Sequence, residues 1–293
     1  MPVKVITDSA SNLTKEMLEA YGIDMVSFTY RIGEEVHLCY DPSLSYEEAG
    51  KGFYDALRSG ANVKTSLCTP GDYEAMFRRY LEQGYDIFYT SISSKLSGSL
   101  NSASMAKDIL LEEFPDRKIA CVDSLSASFG EGIIAMEAAK LAKAGKTLEE
   151  IVKAIEPIRL NVRNEFTVDD LVYLMRGGRI SKLLFALGKV LDIKPMLRAS
   201  KEAEIESCGK MIGRRRALVR LAQTVGESIV SPETQTLYVA HCDCKEDAER
   251  VAELIRAKVP SLKNIEIAMY DFCTGAHVGP GAIAVFYFGT PRP

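Results

Sequence analysis

The chain alternates short apolar runs with longer stretches in which apolar positions recur every three or four residues, so strands are predicted in the first and helices in the second. Lys4–Thr7 predicts a strand and Thr14–Tyr21 a short helix, and Met25–Ile32 is a second strand-like run. Ser45–Ser59 places Ala49, Phe53 and Leu57 on one helical face, and Asp72–Gln83 does the same with Tyr73, Met76, Phe77 and Tyr80. Ile87–Ile92 predicts a strand, followed by a helix over Ser99–Phe114 with Ala103, Ala106, Ile109 and Leu110 inward. Ile119–Val122 predicts another strand ahead of a long helix over Gly130–Lys143 that Gly145 stops, and a further helix runs from Leu148 to about Arg163. Strand–helix alternation of this kind predicts a parallel or mostly parallel sheet with helices on both faces.

The pattern changes after about residue 164. Phe166–Val168 reads as a short strand and Asp169–Met175 as a helical turn that ends at Gly177-Gly178. Ile180–Val190 carries Leu183, Leu184, Leu187 and Val190 at helical spacing. Pro195–Arg198, Ala203–Ser207, Thr236–His241, Glu266–Asp271 and Ala282–Phe288 are strand candidates; a basic helix is expected over Gly213–Val230 and another helix over Lys245–Val259. Few parallel crossovers are evident, so a mixed sheet is expected here. The expected organisation is two α/β domains, residues 1–163 and 164–293.

Hydroxyl residues cluster where predicted strands give way to helices: Val3–Asn12, Asp86–Ser104 and Lys118–Gly132, with a fourth patch at Lys64–Pro70. In a parallel sheet such patches gather at the carboxyl ends of the strands, where ligands bind. Hydroxyls and backbone N–H groups at helix starts suit an anion, so a ligand bearing a carboxylate or phosphate is expected.

The 293 residues are 47% apolar and 26% charged, within the range of globular proteins, and the net charge of −4 argues against a nucleic-acid partner. No apolar run reaches the ~18–20 residues that span a bilayer, and the start, MPVKVITDSA, runs straight into a strand rather than a signal peptide. A cytoplasmic protein is expected. Its seven cysteines, odd in number and mostly in apolar runs, read as buried reduced thiols. Cys242 and Cys244 form C-x-C without a second pair or a His cluster, which does not suit zinc. No metal and no cofactor are expected.

Catalytic motifs are sparse. There is no P-loop, no G-x-G-x-x-G after the first strand, no H-E-x-x-H and no G-x-S-x-G. Asp169-Asp170 reads as a helix cap plus a charge favouring the helix dipole rather than a carboxylate pair, because adjacent helical residues do not face one another. Arg176-Gly-Gly-Arg179 combines backbone freedom with two multi-donor guanidinium groups. Arg214-Arg215-Arg216 reads as a solvated face, with docking to an acidic partner as the alternative. The glycines and proline of Gly275–Gly281 predict an irregular turn that could bring His277 to the mouth of a cleft.

Taken in order, ITDSASNL (6–13), KTSLCTP (64–70), ISSKLSGSLNSA (92–103), VDSLSASFGEG (122–132), VDDLVYLMRGGRIS (168–181), LDIKPML (191–197) and GAHVGPGAIAVFYFG (275–289) resemble the DegV family across essentially the whole chain. The resemblance implies a two-lobed α/β fold that buries a long-chain fatty acid such as palmitate in a tunnel, its carboxylate met by hydroxyls. It implies a role in lipid transport or metabolism, as the non-catalytic subunit of fatty acid kinase that presents the acid to a separate ATP-binding subunit. Peripheral lipid exchange with a membrane is compatible with that role. Thr65 and Ser66 match the family's T-S-x-P segment, Ser94 and Ser97 its S-S-x-L-S-G segment, and His277 its G-x-H-x-G-P-G segment; these five are the expected carboxylate ligands. Arg179, from G-G-R-I-S, is expected to position the head group or engage the kinase subunit. The usual T-S-Q-P is here Thr65-Ser66-Leu67-Cys68, which keeps the hydroxyls and changes the loop. The rival expectation is an acyl hydrolase or transferase using Ser94 and His277.

Overall fold

The computed structural model describes residues 1–180 and 192–293. The helix expected over 180–190 falls, but for its first residue, outside the described residues, as do Ser181 and Leu191 of two of the quoted segments. The described chain forms two compact units: residues 1–45 with 65–159, and residues 46–64 with 160–293. A single cut near residue 163 therefore omits the transfer of 46–64 to the second unit.

In the first unit, β1 (Val3–Asp8), β2 (Asp24–Val26), β6 (Asp86–Ser91) and β7 (Ile119–Asp123) form an all-parallel sheet in the order β2-β1-β6-β7. Every residue of β6 is buried, as expected of an inner parallel strand covered on both faces. Helices α1 (Lys15–Tyr21), α3 (Pro70–Leu81), α4 (Ser99–Glu113), α5 (Phe129–Lys143) and α6 (Leu148–Ile158) supply the crossovers and cover. Along α4, Ala103, Ala106 and Leu110 are buried as expected, but Ile109 sits off that stripe and is exposed.

The expected single strand over Met25–Ile32 is two. β2 ends at Val26, and β3 (Thr29–Ile32) leaves the parallel sheet to pair antiparallel with β4 (Glu35–Leu38). The break is fixed by the polar atoms of Ser27 and Phe28: the Phe28 N–H donates to Ser9 Oγ (2.9 Å), the Cys39 N–H to the Phe28 carbonyl (2.8 Å), and the Tyr40 N–H to Ser27 Oγ (2.9 Å). The helix expected to reach Arg163 stops at Ile158, one residue after Pro157, and passes through a 3₁₀ turn.

In the second unit, helix α2 (Tyr46–Arg58) packs Tyr46 and Phe53 on Phe272, with ring centroids 5.5 and 4.8 Å apart. Its Arg58 Nη2 donates to the Asp243 carbonyl (3.2 Å). These contacts explain why α2 belongs with residues 160–293 despite its place in the sequence. The strand β5 (Val63–Ser66) straddles the division. Strands β8 (Val162–Thr167), β9 (Ile193–Ala199), β10 (Ile205–Ile212), β11 (Thr236–His241), β12 (Asn264–Met269) and β13 (Ile283–Phe288) form a mixed sheet in the order β10-β9-β8-β13-β11-β12. Only β11 and β12 pair in parallel. Helices α7 (Val172–Arg176), α8 (Arg214–Ser228), α9 (Lys245–Lys258) and α10 (Phe272–Val278) complete the described elements of this unit. Leu221 and Val225 of α8 meet Val251 and Ile255 of α9 in its core. β8 is longer than the Phe166–Val168 expected, because buried Arg163 and Glu165 pair within it, Nη2 to Oε1 at 2.6 Å, and so can occupy an interior strand.

All seven cysteines are free. Cys39, Cys68, Cys242 and Cys273 are buried, but Cys208, on the edge strand β10, is exposed. No helix among the described residues is long and apolar enough to cross a membrane.

Candidate functional site

Because β1, β6 and β7 run parallel, their carboxyl ends lie at one end of the first unit's sheet. The hydroxyl patches that follow them are chemically unequal. After β1, Ser9 and Ser11 are fully buried, and Ser9 Oγ is taken by the Phe28 N–H. After β7, Ser124 Oγ donates to the Ser126 carbonyl (3.2 Å), and that carbonyl also accepts the Ser93 N–H (2.7 Å). Ser9 and Ser124 thus brace the loops from within, while Ser11 is enclosed and its hydroxyl has no partner among the described residues. Collecting all the patches into one ligand site therefore overstates the number of available hydroxyls.

The loop between β6 and α4 differs. Ser94 is exposed and its hydroxyl makes no hydrogen bond among the described residues; its N–H donates to Asp123 Oδ2 (3.2 Å). Asp123 Oδ1 accepts the Leu125 N–H (2.8 Å), so the carboxylate is turned onto backbone donors. Ser97 is half-buried, and its Oγ accepts the Ser99 N–H (3.3 Å) at the start of α4. Gly98, the residue ahead of this 15-residue helix, caps it with no side chain. The Ser97 hydroxyl thus stands at the positive end of the α4 dipole, which suits an anion, with Ser94 earlier in the same loop.

The neighbouring loop carries Thr65, half-buried, and Ser66, exposed. Thr69 is not available: it caps α3, its Oγ1 and N–H both donating to Asp72 Oδ2 (2.7 Å each). The departure at Leu67-Cys68 has a local explanation. Cys68 is buried with its Sγ donating to the Ser27 carbonyl (3.1 Å), while Leu67 stays exposed, and a methyl at Gly98 would lie 3.4 Å from its Cδ2. Leu67 of the 65–69 loop therefore lies beside Gly98 of the 94–98 loop.

Asp8, assigned no role from the sequence, is fully buried at the end of β1. Its Oδ1 accepts the Ala10 N–H (2.9 Å), and its Oδ2 accepts the Ile92 N–H (3.2 Å), the Tyr89 hydroxyl (3.2 Å) and the Ser99 hydroxyl (3.5 Å). Burial, only partly offset by these bonds, pushes its carboxyl up to about 6. The available signal was an acid one residue past the apolar run Val5-Ile6, followed by Ser-x-Ser. On the opposite face of the sheet the Thr7 hydroxyl donates to Glu131 Oε1 (2.6 Å).

In the second unit, the segment 169–179 and the glycine-rich segment 275–281 pack on one another. The cap position of α7 is filled by Leu171 and not by either Asp; Asp170 Oδ1 accepts the Val172 N–H (2.8 Å) from one residue further out, and Asp169 pairs with Lys194 (2.9 Å) and Arg214 (3.4 Å). His277 is not in an irregular turn but on α10, which Asp271 caps by accepting the Thr274 N–H (2.7 Å) and Gly279 ends at φ +78°. Its imidazole lies against Gly177, where any side chain would collide with Nδ1. Arg179 folds back so that its guanidinium donates to the Gly177 carbonyl. The structure thus gathers His277, Gly177 and Arg179. Of the basic triplet, Arg214 is committed to Asp247 (2.8 Å) and Asp169, while Arg215, Arg216 and Arg220 line a surface groove of about 410 Å³ with Met211 and Val219.

Burial and the charge of Arg179 push the His277 imidazole down to about 4. A lowered folded-state value means that the unfolded chain takes up the proton first, so this group's contribution to stability is complete above about pH 6.5 and is lost as pH falls through 4. An NMR titration of His277 is expected to show a midpoint near 4; a midpoint near 6.5 would remove both causes.

The model of a family described as "Uncharacterised protein, DegV family" matches residues 2–290. A DegV domain-containing protein of Clostridium perfringens is 38% identical over 288 residues, covering 98% of each chain. Among solved structures, a DegV family protein from Ruminococcus gnavus with vaccenic acid superposes with a TM-score of 0.83 at 30% identity, covering 97% of this chain and 99% of that one. DegV from Bacillus subtilis, a fatty acid binding protein, does so with a TM-score of 0.82 at 28% identity, covering 98% of each.

Proposed function

This chain belongs to the DegV family, and from that premise we propose that it binds a long-chain fatty acid through its carboxylate at the hydroxyls of Thr65, Ser66, Ser94 and Ser97. The observation that carries the reading is the exposed hydroxyl of Ser94, without a partner among the described residues, in the same loop as Ser97, set against the buried Ser9 and Ser124 that are spent on the fold. These neutral hydroxyls and a helix end orient an anion without neutralising it. Affinity then comes from the acyl chain: about 0.8 kcal/mol per buried CH₂ gives on the order of 12 kcal/mol for ~16 carbons before ordering costs. His277, kept neutral, and Arg179 are assigned to positioning the head group or to engaging a partner.

The second step of the proposal is that the acid, still charged, is presented to a separate ATP-binding kinase subunit for conversion to acyl phosphate. A carboxylate held this lightly remains a nucleophile for phosphoryl transfer. The hydrolase reading asks His277 to act as a base, and an imidazole pushed down to about 4 has too little basicity to activate a serine near neutral pH.

The test is titration of the purified protein with palmitate alongside incubation with an acyl ester. Saturable palmitate uptake with no ester turnover is expected. Turnover without uptake would replace this reading with the hydrolase.

A further inference from the structure

The exposed serines need a rigid support, and one buried acid supplies it. We propose that Asp8, held as a carboxylate, is the positioning residue of the head-group site: it anchors both ends of the Ile92–Ser99 loop and, through Tyr89 and Tyr73, the helix that follows the Thr65–Thr69 loop. The inference rests on the fatty-acid reading for its functional meaning and on geometry for its structural one.

Ile92 and Ser99 bracket the loop that carries Ser94 and Ser97, and both donate to Asp8 Oδ2. Tyr89 donates to the same oxygen, and its hydroxyl lies 3.0 Å from that of Tyr73 on α3. With the Tyr89 proton directed at Asp8, Tyr73 donates to Tyr89, and the chain Tyr73–Tyr89–Asp8 runs one way. All four groups facing Asp8 donate: two backbone N–H groups, one phenol and one alcohol. Only an ionised carboxylate accepts from all of them. An asparagine sets its NH₂ group against the Ala10 or the Ile92 N–H, and the protonated acid must turn a hydroxyl donor into an acceptor.

The titratable groups around it are Tyr89 of β6 and Tyr73 of α3, both raised first by burial, and Glu131 of α5, whose Oε1 accepts the Asp8 N–H at 3.4 Å. From α4 comes the Ser99 hydroxyl. Asp8 therefore changes state as pH falls through about 6, well above its ordinary range, while the tyrosines stay protonated.

The experiment compares wild type with Asp8→Asn in palmitate affinity at pH 7.5 and pH 5.5, and in hydrogen exchange of the amides of residues 92–99, which needs no ligand. At pH 7.5 the variant is expected to bind palmitate at least 10-fold more weakly and to exchange the loop amides at least 10-fold faster, with protection in the second unit unchanged. At pH 5.5 the 10-fold gap should narrow to about 3-fold, because about three-quarters of wild type has taken up the proton; protonation of palmitate itself affects both equally. Should Asp8→Asn not fold, Tyr89→Phe removes a single donor and is expected to shift both readings the same way by 3- to 10-fold. Equal affinity and equal exchange at pH 7.5, or a gap that does not narrow at pH 5.5, would overturn the proposal. If wild type takes up no palmitate, the fatty-acid reading fails, and loop exchange alone decides the anchor: faster exchange upholds it and unchanged exchange refutes it.

Discussion

Replacing Ser94 by alanine is expected to lower acyl phosphate formation about 10- to 100-fold in the presence of ATP and the kinase subunit, while palmitate supplied in excess still fills the protein. The two effects separate because they draw on different parts of the ligand. A hydrogen bond to a charged group contributes about 1.5–3 kcal/mol, small beside the order of 12 kcal/mol available from burying the chain. Occupancy at saturating palmitate therefore survives the loss. Orientation does not, since Ser94 offers a hydroxyl not spent within the described residues, whereas the Ser97 oxygen already receives the Ser99 N–H. An unstable head-group geometry lowers the rate of transfer even when binding is complete. The assay is product formed per bound fatty acid, and an unchanged ratio would rule out Ser94 as a head-group ligand.

Gly279→Ala is expected to cost about 3 kcal/mol of stability in urea unfolding. Gly279 sits at φ +78° and ψ 167°, a region open to almost nothing but glycine. A methyl there would also overlap the ring of Tyr173. Strain of about 1–3 kcal/mol and overpacking of similar size act together, against a total stability of roughly 5–15 kcal/mol. Gly178→Ala is the control: its φ is +73° but nothing lies within 4 Å of the added carbon, so about 1 kcal/mol is expected. Equal effects at the two positions would mean that the packing of 275–281 on 169–179 is not what holds His277 in place.

The parts of this fold that could be read directly were those whose burial matches their hydrophobic pattern. Ile87–Ile92 announces β6, and Ala103, Ala106 and Leu110 announce the inner face of α4. β8 was largely hidden because Arg163, Asn164 and Glu165 are polar residues buried in an inner strand, where Arg163 and Glu165 pair with each other. β4 was hidden for the opposite reason: Glu35, Val36 and Leu38 are exposed, so no alternation of buried and open positions marks it. The same limits apply to the site. Ser94 and Ser97 could be singled out by type and place, but which serines are spent on the fold depends on partners such as Phe28 and Ser93 that are distant in sequence. The role of Asp8 depends on donors 81 to 91 residues away, which no local pattern records. His277 fell on a helix rather than a turn because Asp271 caps that helix and Gly275 is tolerated within it beside Tyr54.

Denaturing extraction of the purified protein followed by mass spectrometry shows whether it carries a fatty acid. One long-chain fatty acid per chain is the predicted result. Protein that yields none, and that then takes up neither added palmitate nor oleate, would contradict the account.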